Sequence, residues 1–119
     1  MAVDHVLVGI SDLEDGLSQL TALTGVAAER GGQHPGRGTQ NALLSLGPKL
    51  YLELIAPVTP AAGPPPGMEA LSELHRPTPV GWAIHTQDLD ATSSRLRAAG
   101  FQVSAPREGS RVRPDGRRL

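Results

Sequence analysis

The sequence predicts an α+β fold made of paired βαβββ modules, the second cut short at the C-terminus. Three observations lead there. A strand–helix–strand order recurs at an offset of 76 residues. Apolar side chains alternate along the strand segments, so that polar groups gather on one face. Glycine and proline, 14 and 11 in number, cluster between the segments as loops. At 119 residues the chain has room for a single modest core, and 39% apolar against 19% charged residues is ordinary for a globular domain.

The elements follow in order. Residues 3–10 are β-branched and apolar and predict a strand. Ser11 stands at an N-cap position with Glu14 three residues on, and Leu13, Leu17, Leu20 and Leu23 recur at helical spacing until Gly25 closes the helix. Residues 26–30 predict a short strand, and residues 31–38, rich in glycine, a loop. Residues 39–46 and 50–56 predict two strands joined by a Gly47-Pro48-Lys49 turn, which completes a first module over residues 1–57. A proline-rich linker spans residues 58–79, within which 68–76 allow about two helical turns. The second module, 80–119, opens with a strand over 80–86. A helix follows from Gln87-Asp88-Leu89-Asp90, with Leu89, Leu96 and Ala99 inward, then Gly100 as its stop and a strand over 101–104. Ser11-Asp12-Leu13-Glu14 matches Gln87-Asp88-Leu89-Asp90, Leu20 matches Leu96, and Gly25-Val26 matches Gly100-Phe101 after one deleted residue. That correspondence predicts duplication.

Strand parity then assigns faces. Val6, Val8 and Ile10, with Ala42, Leu44 and Leu46 and with Leu50, Leu52 and Leu54, make an aliphatic face to pack under the helix. The reverse face gathers His5, Asn41, Ser45, Tyr51 and Glu53. Burying a carboxylate costs several kcal/mol unless it is paired, so this second face is the expected ligand surface.

Composition excludes several classes. A formal charge of −1 gives no field toward nucleic acid or anionic lipid, and three aromatic residues offer little for base stacking. With no cysteine, thiolate catalysis, disulfides and Cys-ligated metal are absent. No segment approaches the roughly 20 apolar residues of a membrane span, and no signal peptide is visible, so a cytoplasmic location is expected. The glycine-rich loop lacks the Lys-Ser/Thr ending and following helix of a phosphate loop; it reads as a cover over the cleft, with Arg37 placed to meet an anionic group. The arginines at 111, 113, 117 and 118 flank a Pro-Asp-Gly turn and read as a solvated hairpin.

Several motifs together resemble the glyoxalase-like branch of the vicinal oxygen chelate superfamily. They are Asp4-His5-Val6, the run Gly32-Gln33-His34-Pro35-Gly36-Arg37-Gly38-Thr39-Gln40-Asn41, Leu44-Ser45-Leu46-Gly47, Tyr51-Leu52-Glu53-Leu54-Ile55-Ala56-Pro57, Val80-Gly81-Trp82-Ala83, Asp88-Leu89-Asp90 and Arg113-Pro114-Asp115-Gly116. The resemblance implies curved sheets around a cleft. It also implies a divalent metal ion (zinc, nickel, iron or manganese), held by a His on the first strand and a Glu on the fourth strand of each module. Carried onto this chain, that gives His5 and Glu53.

The second module departs from the pattern. Gly81 aligns with His5, and the chain ends at Leu119 before a fourth ligand is reached. His85 shares the parity of Gly81 and is the expected third ligand, with His34 as a rival. The resulting expectation is a metal-dependent lyase, isomerase or dioxygenase acting on a small oxygen-bearing substrate. Glu53 is its catalytic residue; His5, Glu53 and His85 are its metal ligands; His34, Arg37, Asn41 and Tyr51 bind substrate. The alternative is a metal-free module that sequesters a small molecule. A homodimer, in which a second copy supplies the missing edge, is the expected assembly, with neither nucleic acid nor membrane as partner.

Overall fold

A computed structural model describes residues 2–34, 36–58, 69–109 and 115. One five-stranded sheet, in the order β2-β3-β4-β1-β5, organises it. Its strands are β1 (Ala2–Gly9), β2 (Glu29–His34), β3 (Thr39–Gly47), β4 (Leu50–Pro57) and β5 (Thr78–His85). β1 and β4 run parallel, and the remaining neighbours are antiparallel. Helix α1 (Leu13–Thr24) packs on the sheet face bearing Val8, Ile10, Ala42, Leu54 and Ala56. Ile10 and Leu54 are fully buried there; each such side chain contributes about 1.5–3 kcal/mol of transfer free energy. Gly16 lets the helix sit close, because a Cβ at that position would lie 2.7 Å from Ile10 Cγ2 and 2.9 Å from Leu54 Cδ2. The aliphatic face expected from parity is therefore the core face.

Local chemistry sets the helix ends. Asp12, not Ser11, caps α1: its carboxylate accepts from the Asp15 amide at 2.9 Å. An extended Asp12 one residue before the first helical residue aims its oxygen at an orphan N–H better than the preceding serine. Gly25 adopts φ 73° and returns its N–H to the Thr21 carbonyl. The second helix, α2 (Leu89–Ala98), begins the same way, with Asp88 accepting from the Ala91 amide at 2.9 Å. It ends with Gly100 at φ 96° and paired bonds from the Gly100 and Phe101 amides to the Arg97 and Leu96 carbonyls.

Four expectations are corrected. β2 begins at Glu29 and takes in Gly31 to His34, which the glycine count had assigned to a loop; a β-bulge absorbs the extra glycine. Leu23, on the expected helix stripe, is 75% exposed. Leu89 and Ala99 do not point inward; Ser93 is the buried residue of α2. Residues 101–104 form no strand: Arg97 instead donates to the Val103 and Ser104 carbonyls, which takes up acceptors a ladder would need. Between β4 and β5 a short 3-10 helix, Glu69–Glu73, stands in the segment expected to be helical. Residues 59–68 of the proline-rich crossover and the arginine-flanked turn, Asp115 apart, lie outside the described residues.

The pairing of β1 with β5 bears on the duplication. Leu13 and Leu89, the first residues of the two helices, lie 76 positions apart. In the sheet Val6 pairs with Trp82, its own counterpart at that offset. His5 and Leu7 face Ala83 and Gly81, the counterparts of Leu7 and His5. An antiparallel register of this kind is that of a local two-fold axis passing between Val6 and Trp82.

Candidate functional site

The sheet face away from α1 carries His5, Leu7 and Gly9 on β1, beside Tyr51, Glu53 and Ile55 on β4 in register. Asn41 pairs with Ile55 and Leu43 with Glu53 on the next strand. The far end of this face is closed by Leu71 of the 3-10 helix, 2% exposed; a Cβ on Gly9 would lie 2.5 Å from Leu71 Cδ2. The polar cluster occupies the remainder.

Glu53 is the centre. It is 8% exposed, and its two oxygens face different imidazoles: Oε2 lies 3.4 Å from His5 Nε2, and Oε1 lies 3.8 Å from His34 Nε2. Each imidazole has a second partner on its other nitrogen. His5 Nδ1–H donates to Asp4 Oδ1 at 2.6 Å, and His34 Nδ1 shares a 2.7 Å hydrogen bond with the Thr39 hydroxyl. Asn41 Nδ2 lies 3.3 Å from His34 Nε2, and the Tyr51 ring stacks on His5 with centroids 4.7 Å apart. The result is a continuous polar chain from Asp4 through His5, Glu53 and His34 to Thr39, carried by all four strands β1 to β4.

Two β-bulges make that chain possible. In β1 the pairing with β5 slips between Val3 and His5, leaving Asp4 unpaired. Regular alternation would send the Asp4 side chain to the opposite face; the bulge turns it back toward His5. In β2 the slip lies between Arg30 and Gly32. Arg30 therefore faces the helix side, where it forms an ion pair with Glu14, while His34, of the same parity, faces Glu53. Gly31 is the bulge residue, and a Cβ there would meet Asn41 Oδ1 at 2.1 Å. Asn41 is 2% exposed, and its Oδ1 is buried without a hydrogen-bond partner among the described residues.

The electrostatics follow from these contacts. The hydrogen bond from His5 holds the Asp4 carboxyl below the ordinary carboxylate range. Partial burial opposes this, and the His5 charge, a hydrogen bond from Tyr51 and the charge of His85 add to it.

Of the residues singled out in the sequence, His5, Glu53, His34, Asn41 and Tyr51 come together. His85 does not join them. It is exposed at the end of β5, opposite Ala2, and reaches the cluster only through its field on Asp4. Arg37 is exposed in the β2–β3 turn, with its guanidinium beside Gly109. Asp4 and Thr39 were not singled out; the signal for Thr39 was its place two residues before Asn41 on one strand face, whereas Asp4 is hidden by its bulge. Among the described residues no three His, Cys, Asp or Glu side chains form a group able to hold a metal ion. His85 stands apart at the end of β5, so the expected set of His5, Glu53 and His85 is not assembled. No helix among the described residues is long and apolar enough to cross a membrane.

Comparison with known proteins agrees with this architecture. A family model described as a glyoxalase-like domain matches residues 3–119. Among solved structures, methylmalonyl-CoA epimerase from Mycobacterium tuberculosis is similar at 23% identity and a TM-score of 0.65, over 98% of this chain and 75% of that one. A variant of the Streptomyces coelicolor methylmalonyl-CoA epimerase, in complex with 2-nitronate-propionyl-CoA, gives 22% identity and a TM-score of 0.65, over 93% and 81%. A hypothetical protein from Staphylococcus aureus gives 19% identity and a TM-score of 0.70, over 98% of this chain and 48% of that one. At these identities the likeness is one of fold. A search of curated proteins by sequence finds no match.

Proposed function

Because the chain belongs to the glyoxalase-like domain family, with its vicinal oxygen chelate fold, we propose that the polar sheet face binds a small oxygen-bearing molecule and performs isomerase-type proton transfer beside a carbonyl. Glu53 is the proton-handling carboxylate in this reading. The observation that supports it is the placing of one nearly buried carboxylate between two imidazoles. A carboxylate so enclosed is shielded from bulk water and held in one place on the sheet face, as a proton-transferring group must be.

In this reading Glu53 takes a proton from the substrate carbon, and the electron pair moves onto the adjacent carbonyl oxygen. The Asn41 amide steadies the oxyanion, and the proton returns to carbon. The epimerase activity named for the similar structures belongs to the same reaction class. No step is routed through a metal ion.

Methylmalonyl-CoA is a suitable first probe. Incubated with the protein in D2O and followed by proton NMR, it should exchange its α-proton, and Glu53→Gln should slow that exchange at least about 100-fold. Exchange that persists in Glu53→Gln would remove Glu53 from the role.

A second reading, a module that sequesters its ligand without reaction, is favoured by both oxygens of Glu53 already facing imidazoles. It predicts a ligand-dependent rise in melting temperature that survives Glu53→Gln, with no isotope exchange in either protein.

A further inference from the structure

The two imidazoles of the site are oriented alike. In each the Nδ1 atom is engaged by a partner from its own strand or hairpin, and in each Nε2 is turned toward Glu53. We propose that Asp4 and Thr39 are the positioning residues of the site, fixing His5 and His34 as Nδ1–H tautomers so that each ring turns its Nε2 lone pair to the Glu53 side.

The chemistry is most constrained at His5. An ionised carboxylate only accepts, so the 2.6 Å contact with Asp4 requires a proton on His5 Nδ1. The nitrogen facing Glu53 is then the one that carries no fixed proton. Nε2 and Oε2, 3.4 Å apart, are both acceptors when the imidazole is neutral and the carboxylate ionised. One proton placed on either atom turns the opposition into a hydrogen bond. Asp4 thus leaves the His5–Glu53 pair with a single shared proton site directed into the cluster.

At His34 the partner is a hydroxyl, which gives or accepts, so the Asn41 amide completes the assignment. With Nδ2 directed at His34 Nε2, Asn41 donates there, Nε2 accepts, and Nδ1–H donates to the Thr39 oxygen. Both rings then carry their fixed proton on Nδ1. Neither positioning contact is set by strand alternation alone. The bulge at Asp4 brings its carboxylate round to His5, and the bulge at Gly31 puts His34 on the face of Thr39, its cross-strand partner. Stacking by Tyr51 adds a second restraint on the plane of the His5 ring.

This assignment rests on Glu53 being the reacting carboxylate, but its test does not depend on turnover. Nitrogen-15 NMR of the histidine rings, followed up a pH series until the signals stop moving, distinguishes a protonated Nδ1 from a protonated Nε2. Wild-type protein should show His5 and His34 both as the Nδ1–H form. Asp4→Ala should shift the tautomer ratio of His5 about tenfold or more toward Nε2–H and leave His34 as it was. Asp4→Asn, which keeps an acceptor, should retain most of the wild-type signature. Thr39→Val should shift His34 alone, and Thr39→Ser should restore it. The conservative variants guard against misfolding, since a loss of structure would disturb both rings. An Nε2–H signature in the wild type, or an unchanged His5 ratio in Asp4→Ala, overturns the assignment. Fixed tautomers without isotope exchange in any probe would instead count against the isomerase reading and leave the positioning roles standing.

Discussion

Replacing Gly31 by alanine probes the site through packing alone. Gly31 is not among the residues with positive φ, so the substitution brings no left-handed backbone penalty. Its cost comes from one neighbour: the new Cβ would stand 2.1 Å from Asn41 Oδ1 and 3.0 Å from Asn41 Cγ. Ordinary contact needs about 1 Å more, and Asn41, at 2% exposure, has no free direction in which to retreat. Overpacking of this kind costs about 2 kcal/mol, within the usual 1–3. For a domain of this size that is roughly 6–10 °C in melting temperature. The assay is thermal or urea unfolding of Gly31→Ala in two backgrounds, wild type and Asn41→Ala. With the amide gone, the same alanine should cost less than about 0.5 kcal/mol, a coupling of about 1.5 kcal/mol. Gly36→Ala serves as control: at φ 73° with nothing within 4 Å of its Cβ, it should cost about 1 kcal/mol through the backbone, and equally in both backgrounds. Equal costs for Gly31→Ala with and without Asn41 would refute the claim that the bulge and the amide are fitted to each other.

Other outcomes follow from the same coordinates. Leu54→Ala, at a fully buried core position, should destabilise the fold by about 2–5 kcal/mol in urea unfolding without changing which face binds ligand. Asp12→Ala should cost about 1 kcal/mol through the lost cap of α1, and Asp88→Ala a similar amount at α2; helical content and melting temperature report both. The folded-state value of Asp4 lies below its ordinary one. Its contribution to stability is therefore complete above about pH 4 and is lost as pH falls through the lowered value. Acid-unfolding curves of wild type and Asp4→Asn should diverge above that point and converge below it, modestly, since the Asp4 side chain is 38% exposed. His85→Ala should weaken binding of any small ligand less than about twofold, because an exposed strand-end imidazole leaves the cluster around Glu53 intact; isothermal titration would expose a larger loss.

Much of the fold could be read before any coordinates, because its governing signals are local and periodic. The alternation in β1, β3 and β4 placed Val8, Ala42 and Leu54 beneath α1 and sent His5, Asn41, Tyr51 and Glu53 to the other side. Gly25 as the end of α1 was equally legible, since a left-handed turn has few other candidates. What escaped were departures from periodicity. A bulge leaves no mark in composition, so nothing drew Asp4 to the face of His5, and Gly31 to His34 looked like loop. The second half was harder for a different reason. Few of its apolar residues are buried: Val80, Trp82, Leu89 and Phe101 are all more than 40% exposed. An amphipathic pattern predicts an inward face only where something covers it. His85 shows the limit of parity, which gives the side of a sheet but not the distance along it.

The register between β1 and β5 decides which positions of the two strands can change independently. Only Val6 and Trp82 meet their own counterparts across the ladder; every other residue looks across at the copy of a different one. The imidazole of one half and the glycine that stands in its place in the other are thus never cross-strand neighbours: His5 faces Ala83, and Gly81 faces Leu7. A change of side chain at position 81 would leave the backbone partner of His5 untouched. The pairing is symmetric in the hydrogen-bond ladder, while the polar chemistry lies on one side of it.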